Sequence, residues 1–280
     1  MSKPNYIELG HKKTLVRMRI LYEDRAVLAI DKMEGWLLIP FTWRDTARNL
    51  QAAITSSIAA GDFWARSRNL KSLQYCHRLD GDTSGILLFG KSHGAVESMS
   101  RLFEERTMEK KYLAVVAGVP KQTEWMREDK IEKDGGQIGR MRIDPQFGKD
   151  AETSFRVLET IERNGKPYTL VEARPRTGRT HQIRVHLAAS GHSIVGDKIY
   201  GGQVAPILGL RAIYLGYEDP FRQVPVRIRA DEDEFRREFG FPPRELIARV
   251  PREKLPEPAV AKTAAKPVAR AHKKTAPPKV

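Results

Sequence analysis

The sequence predicts an α+β fold built on a mostly antiparallel mixed sheet flanked by helices. Three observations point there. Short apolar runs bounded by turn residues outnumber helical patterns along the 280 residues. Several of these runs are joined by hairpin signals, and strands do not alternate regularly with helices in the βαβ manner. No internal repeat and no linker precedes residue 250, so a single domain with a tail is expected.

Each element follows from its local pattern. Residues 18–33, MRILYEDRAVLAIDKM, read as strand, turn and strand around the polar EDR. Residues 45–60, DTARNLQAAITSSIAA, place apolar side chains near helical spacing. HRLDGDTSG (77–85) is a loop by composition, and GILLFGK (85–91) is an apolar strand with glycines near both ends. Ser92 is a candidate N-cap for a helix over 93–106, with Val96, Met99, Leu102 and Phe103 as its buried stripe. KYLAVVAG (111–118) is a second buried strand, and 121–150 is polar with weak hairpin signals. Phe155–Thr160 and Tyr168–Ala173 read as strands joined through Arg163-Asn164-Gly165-Lys166, a favourable hairpin turn. A short helix is expected over 180–190, with Thr180 as cap, Ile183 and Leu187 buried and Gly191 as the stop. Strands over 211–217 and 224–229 complete the set.

Composition narrows the function classes. No apolar run reaches the length of a membrane span, and the opening MSKPNYIELGHKK carries no apolar secretory core. The single cysteine, Cys76, cannot form an internal disulfide, which fits a reducing cytoplasm. The formal net charge is +14, of which residues 254–280 contribute +6 and residues 1–253 the remaining +8. A basic body with a Lys/Ala/Pro-rich tail, read as disordered, favours a polyanionic partner such as nucleic acid. The expected division is an N-terminal extension over 1–17, a main folded domain over 18–250 and the disordered basic tail over 251–280.

Several motifs invite chemistry and are set aside. Cys76 and His77 adjoin in sequence, whereas catalytic Cys–His pairs meet through the fold. His181, His186 and His192 match no zinc spacing, so no metal site is expected. RTGRTHQIR (176–184) lacks the frame of a phosphate loop. LDGDTSG could belong to a magnesium-dependent aspartyl phosphotransferase, but the preceding LQYCHRL is not a continuous apolar strand. What remains is a set of ionic and aromatic residues at the ends of apolar elements: Asp80, Tyr112 and Arg184. Singly, each also reads as a turn cap, a core aromatic or a surface cation.

Together these segments resemble the RluA-type RNA pseudouridine synthases. HRLDGDTSGILLFGKS is similar to the family's HRLD-x-x-TSG block, EKKYLAVVAG to its K-x-Y strand, and KDAETSFRVLE followed by VEARPRTGRTHQIRVHLAASGHSIVGDKIYGG to its later blocks. The likeness runs from about Ile20 to about Ala230. Departures occur where K-P-x-G reads Lys32-Met33-Glu34-Gly35, where GHP reads Gly191-His192-Ser193 and where L-H-A reads Ile213-Tyr214-Leu215. None of the three is expected to touch the chemistry.

The resemblance implies one pseudouridine synthase-like catalytic domain that isomerises uridine in structured RNA, rRNA or tRNA, without cofactor or metal, as a monomer in the cytoplasm. A non-catalytic RNA-binding or chaperone-like protein on the same scaffold is the alternative. By position, Asp80 is the essential aspartate, acting on the sugar or the base as nucleophile, or on the sugar as a base. Arg184 is the cation that pairs with it, which would lower a carboxyl pKa by about 1–3. Tyr112 is the aromatic that stacks on uracil, and Ile183 is either an apolar wall of the pocket or core. Arg78, Arg179 and His181 are placed toward the RNA, with Arg78 filling the gap left by the flipped base. Asp82 falls at a variable position and needs only a turn role. Too few residues precede the first expected strand for an S4-type RNA-binding domain, so RNA selection is expected of the catalytic domain and the tail.

Overall fold

The computed structural model describes residues 3–10, 15–38 and 48–244. The expected disordered tail over 251–280 lies outside the described residues, as does the start of the helix expected over 45–60.

Strands β1 (Tyr6–Leu9), β2 (Val16–Glu23) and β3 (Val27–Lys32) form a meander. Two helices follow, α1 (Leu50–Ala59) and α2 (Phe63–Arg66). Then come β4 (Gln74–Tyr75), β5 (Ser84–Gly90), α3 (His93–Glu104) and β6 (Glu109–Ala117). Strands β7 (Glu124–Lys133), β8 (Met141–Ile143), β9 (Lys149–Arg163) and β10 (Lys166–Pro175) are consecutive. Helix α4 (Gln182–Ala189), strands β11 (Leu210–Glu218) and β12 (Pro225–Arg229), and helix α5 (Asp233–Glu238) are the last elements among the described residues. One sheet runs β1-β2-β3-β5-β11-β6-β10-β9-β7-β8, with β12 beside β11 and β4 beside β5. Among the named strands the β5–β11 pairing is parallel and the others are antiparallel. The α+β class with a mostly antiparallel mixed sheet is therefore what the chain adopts.

Local chemistry explains most elements. Ser92 Oγ accepts the Ala95 N–H at 3.2 Å and starts α3, which buries Ala95 and Met99 and packs Leu102 and Phe103 against the core. Asn164 and Gly165 take φ of +51° and +68°, the left-handed pair that closes a two-residue hairpin between β9 and β10. On β6, Leu113 and Val115 face a cluster with Phe235, Phe239 and Phe241 around α5, while Ala114 and Val116 face α4 through Ile183 and Leu187. That period of two lets one strand separate two cores.

Three features depart from the pattern-based expectation. Strand β1 lies inside the expected N-terminal extension and buries Ile7 and Leu9 completely. Strand β7 is regular although its burial alternates between exposed and half-buried, with Ile131 as its one buried side chain. Helix α4 starts at Gln182 with His181, not Thr180, at its cap position, and His181 takes a left-handed φ of +55°.

Candidate active site

The parallel β5–β11 junction builds the floor. Across four neighbouring strands, the register aligns Gly85, Ala212, Tyr112 and Ala173. Tyr112 is thus the one large side chain in a row of small ones. Gly85 has φ of +107°, and a Cβ there would lie 2.1 Å from the Ala212 carbonyl oxygen, so only glycine permits the strands to meet this way. Tyr112 packs against the clusters on both sides and is partly buried. Burial, reinforced by the charge of Asp80, raises its phenol pKa and keeps it neutral.

The HRLDGDTSG loop is held over one end of β5. At its start, His77 Nε2 accepts the Leu88 N–H at 3.1 Å, and its ring stacks on Phe103 at 4.5 Å. Burial, with Lys110 nearby, lowers the His77 pKa to about 3, while burial pushes the Cys76 thiol up to about 12. The pair is a structural anchor and not a thiol–imidazole dyad. The Asp80 carbonyl accepts the Thr83 N–H at 3.2 Å and closes a turn. Beneath it, fully buried Lys32 donates from Nζ to the carbonyls of Gly81 (2.8 Å), Thr83 (2.9 Å) and Met33 (3.0 Å). Burial lowers the Lys32 pKa to about 8, against the opposing pull of Asp80, Asp82 and Glu34. The Gly35 N–H also donates to the Gly81 carbonyl at 2.9 Å. These contacts to the Asp80 turn come from Lys32 and Gly35, the two positions that match K-P-x-G, while Met33, which stands in place of the proline, offers only its carbonyl to Lys32.

Facing Asp80 is the start of α4. Gln182 ties down the preceding loop, accepting from the Arg179 N–H (2.9 Å) and the Thr177 hydroxyl (2.7 Å) and donating to the Glu152 carbonyl and Thr153 Oγ1 (both 2.9 Å). The first turn then directs two buried side chains at the aspartate. Arg184 Nη1 and His181 Nε2 each lie 3.9 Å from Asp80 Oδ2, whose side chain is 25% exposed. The expected Arg184–Asp80 proximity is present, but the guanidinium's close partner is Asp197. Nε and Nη2 both donate to that carboxylate at 2.8 Å, in a fully buried fork. Burial works against the Asp197 carboxylate, yet the Arg184 fork and the N–H groups of Tyr200 and Ile199 hold its pKa below the ordinary value.

The remaining residues divide. Ile183 is 7% exposed and belongs to the core cluster on which Tyr112 packs. Arg78 is exposed beside the loop, and Arg179 is half-buried with Nε donating to the Asp150 carbonyl at 2.9 Å. His181, grouped with them from sequence, is placed differently. It is 7% exposed, its Nδ1 lies 3.0 Å from the Tyr200 hydroxyl, and its other nitrogen faces Asp80. Asp82 is exposed on the turn. Sequence reasoning missed Asp197, Tyr200 and the clamp made by Lys32. The available signal was the D-x-x-Y spacing in VGDKIYGG, where Asp197 Oδ1 accepts the N–H groups of Ile199 (2.9 Å) and Tyr200 (3.1 Å).

Comparison with known proteins shows what the chain as a whole is similar to. A family model described as RNA pseudouridylate synthase matches residues 52–189. The ribosomal large subunit pseudouridine synthase D of Nitrosomonas europaea is 34% identical over 203 residues, covering 69% of this chain and 52% of its own length. The dual-specificity RNA pseudouridine synthase RluA of Haemophilus influenzae is 32% identical over 206 residues, covering 69% of this chain and 81% of its own. Among solved structures, human RNA pseudouridylate synthase domain containing 1 matches with a TM-score of 0.60 and 28% identity, over 77% of this chain and 84% of that one. The chain spans about half the length of the Nitrosomonas relative, at 52%.

Proposed function

The chain belongs to the RluA-type RNA pseudouridine synthase family, and from that premise we propose that it isomerises uridine to pseudouridine in structured RNA, with Asp80 as the essential residue. The carrying observation is the accessible Asp80 carboxylate, faced by buried Arg184 and His181 at 3.9 Å. Beside it lies Tyr112, whose phenol feels its charge.

The reaction breaks the N1–C1′ bond, turns the uracil and joins C5 to C1′. N1 gains a proton and C5 loses one, so nothing is oxidised or transferred to a second molecule. The base must first leave its stack, which costs a few kcal/mol. Arg78, exposed beside the Asp80 turn, fills the vacated space, and Arg179 contacts the backbone. Tyr112 offers a flat face that holds the detached uracil while permitting rotation. Asp80 acts on the sugar or the base as nucleophile, or on the sugar as a base, and Arg184 keeps its carboxylate oriented in either role. The substrate classes proposed are rRNA and tRNA, in keeping with the name of the Nitrosomonas relative and the dual specificity in that of the Haemophilus one. The proposal includes a monomer acting in the cytoplasm, with residues 18–250 as the catalytic unit and the basic tail as an accessory.

Loss of the C5 proton supplies the test. Purified protein without added metal should release tritium from 5-tritiated uridine in rRNA or tRNA transcripts. Asp80→Asn should fall to background while binding RNA as tightly as the parent. No release from either RNA, or full activity in Asp80→Asn, would overturn the reading.

A further inference from the structure

We propose that Tyr200 is a positioning residue that sets the tautomer of His181, so that a neutral imidazole presents an Nε2–H to the Asp80 carboxylate.

Two contacts, one at each ring nitrogen, require the same proton placement. At Nδ1, the partner is the Tyr200 hydroxyl at 3.0 Å. That hydroxyl already accepts the Met141 N–H at 2.9 Å. Its own proton is free to donate, and His181 Nδ1 is the acceptor in reach among the described residues. A proton on Nδ1 instead would make the phenol accept twice and leave its hydrogen without a protein acceptor. At Nε2, the neighbour is Asp80 Oδ2 at 3.9 Å. A carboxylate only accepts, so an unprotonated Nε2 would set lone pair against lone pair. Both ends therefore select the Nε2–H form.

The surroundings also select the neutral ring. The groups facing it are Asp80, Asp82, Arg184, Asp197 and Tyr200. Burial and Arg184 lower its pKa, the three carboxylates oppose them, and the net direction is down. His181 sits at the N-cap of α4, where the helix dipole further disfavours a cation. Burial holds the Tyr200 phenol up to about 12, so it keeps the proton it donates. The same D-x-x-Y turn thus serves both groups that face Asp80. Asp197 occupies two arms of the Arg184 fork and leaves Nη1 for the aspartate, while Tyr200 orients His181 and lays its ring 5.4 Å from the Arg184 guanidinium. Asp80 then meets one cation and one neutral donor. Both stand beyond hydrogen-bond length, at 3.9 Å.

The catalytic consequence rests on Asp80 being the essential group, but the tautomer does not, and the experiment separates them. Ring ¹⁵N shifts of His181 in the full-length chain, assigned by their loss in His181→Gln, should show a protonated Nε2 and a bare Nδ1 at pH 7.5. In Tyr200→Phe the Nδ1 signal should move and a population protonated at Nδ1 should appear. Tritium release by Tyr200→Phe should drop about tenfold in kcat, one hydrogen bond's worth, with KM for RNA unchanged. A wild-type ring protonated at Nδ1, or charged at pH 7.5, would overturn the proposal whether or not Tyr200→Phe folds. So would unchanged His181 shifts in a folded Tyr200→Phe. A wild-type enzyme with the expected tautomer but no tritium release would instead count against the proposed function alone.

Discussion

Asp80 and Asp197 both approach Arg184, yet they are different kinds of carboxylate. Asp197 is 1% exposed and bonded to both arms of a buried guanidinium, whereas Asp80 stands at 3.9 Å and its side chain is a quarter exposed. Removing the first strands a buried charge, and removing the second does not. Asp197→Asn should therefore destabilise the protein by about 3–5 kcal/mol in urea unfolding. Asp80→Asn should change stability by less than about 1 kcal/mol while abolishing turnover. Equal losses of stability in the two variants would contradict the assignment of Asp197 as the structural partner.

Strand β5 shows how an element can depend on one backbone position. It carries the Asp80 turn at one end and makes the parallel contact with β11 through Ser84 and Gly85. At Gly85 both φ and space exclude a side chain. Gly85→Ala should cost more than about 3 kcal/mol in chemical denaturation, or prevent folding. Gly178→Ala, in the loop before α4 with no atom within 4 Å of the added Cβ, should be close to neutral. At the far end of β5, Ser92→Ala removes the α3 cap and should cost about 1 kcal/mol by the same measurement.

Across the whole molecule, titration links fold and solvent. His186 is fully buried, and burial lowers its pKa to about 4; His77 is lowered to about 3. Both are neutral when folded and take up protons near pH 6.5 when unfolded. The unfolded state thus binds more protons below that pH, and stability falls as the pH drops from about 6.5 toward 4. Above pH 7 neither contributes to the slope. At pH 4.5 the loss should reach about 2.5 kcal/mol for each, and His186→Gln should flatten the pH dependence of the urea midpoint. Charge acts at longer range. Residues 254–280 carry +6, so their deletion should weaken RNA binding and reduce its dependence on salt. An unchanged salt slope would remove the tail from the binding footprint.

Apolar period and turn chemistry made much of this fold readable. The β9–β10 hairpin follows from Asn164-Gly165, α3 from Ser92 and its stripe, and β5 and β6 from continuous apolar runs. Position at the ends of such runs left Asp80, Tyr112 and Arg184 open to structural roles, and it was the resemblance of HRLDGDTSG, EKKY and GRTHQIR to family motifs that singled them out. Strand β7 was hidden because charged residues fill most of its positions, on its half-buried face as well as its exposed one, and its backbone bonds, made to β8 and β9, do not depend on side-chain type. Strand β1 was hidden because a four-residue segment carries little pattern and gains its burial from α1, α2 and β2. The electrostatics of the site were the least readable part. Which carboxylate takes the Arg184 fork, which way His181 turns, and what clamps the Asp80 turn all depend on side chains brought together over 13 to 51 residues of chain. Local sequence sets backbone preference and burial period. Charge pairing depends on distances in space, which exist only once the sheet has closed.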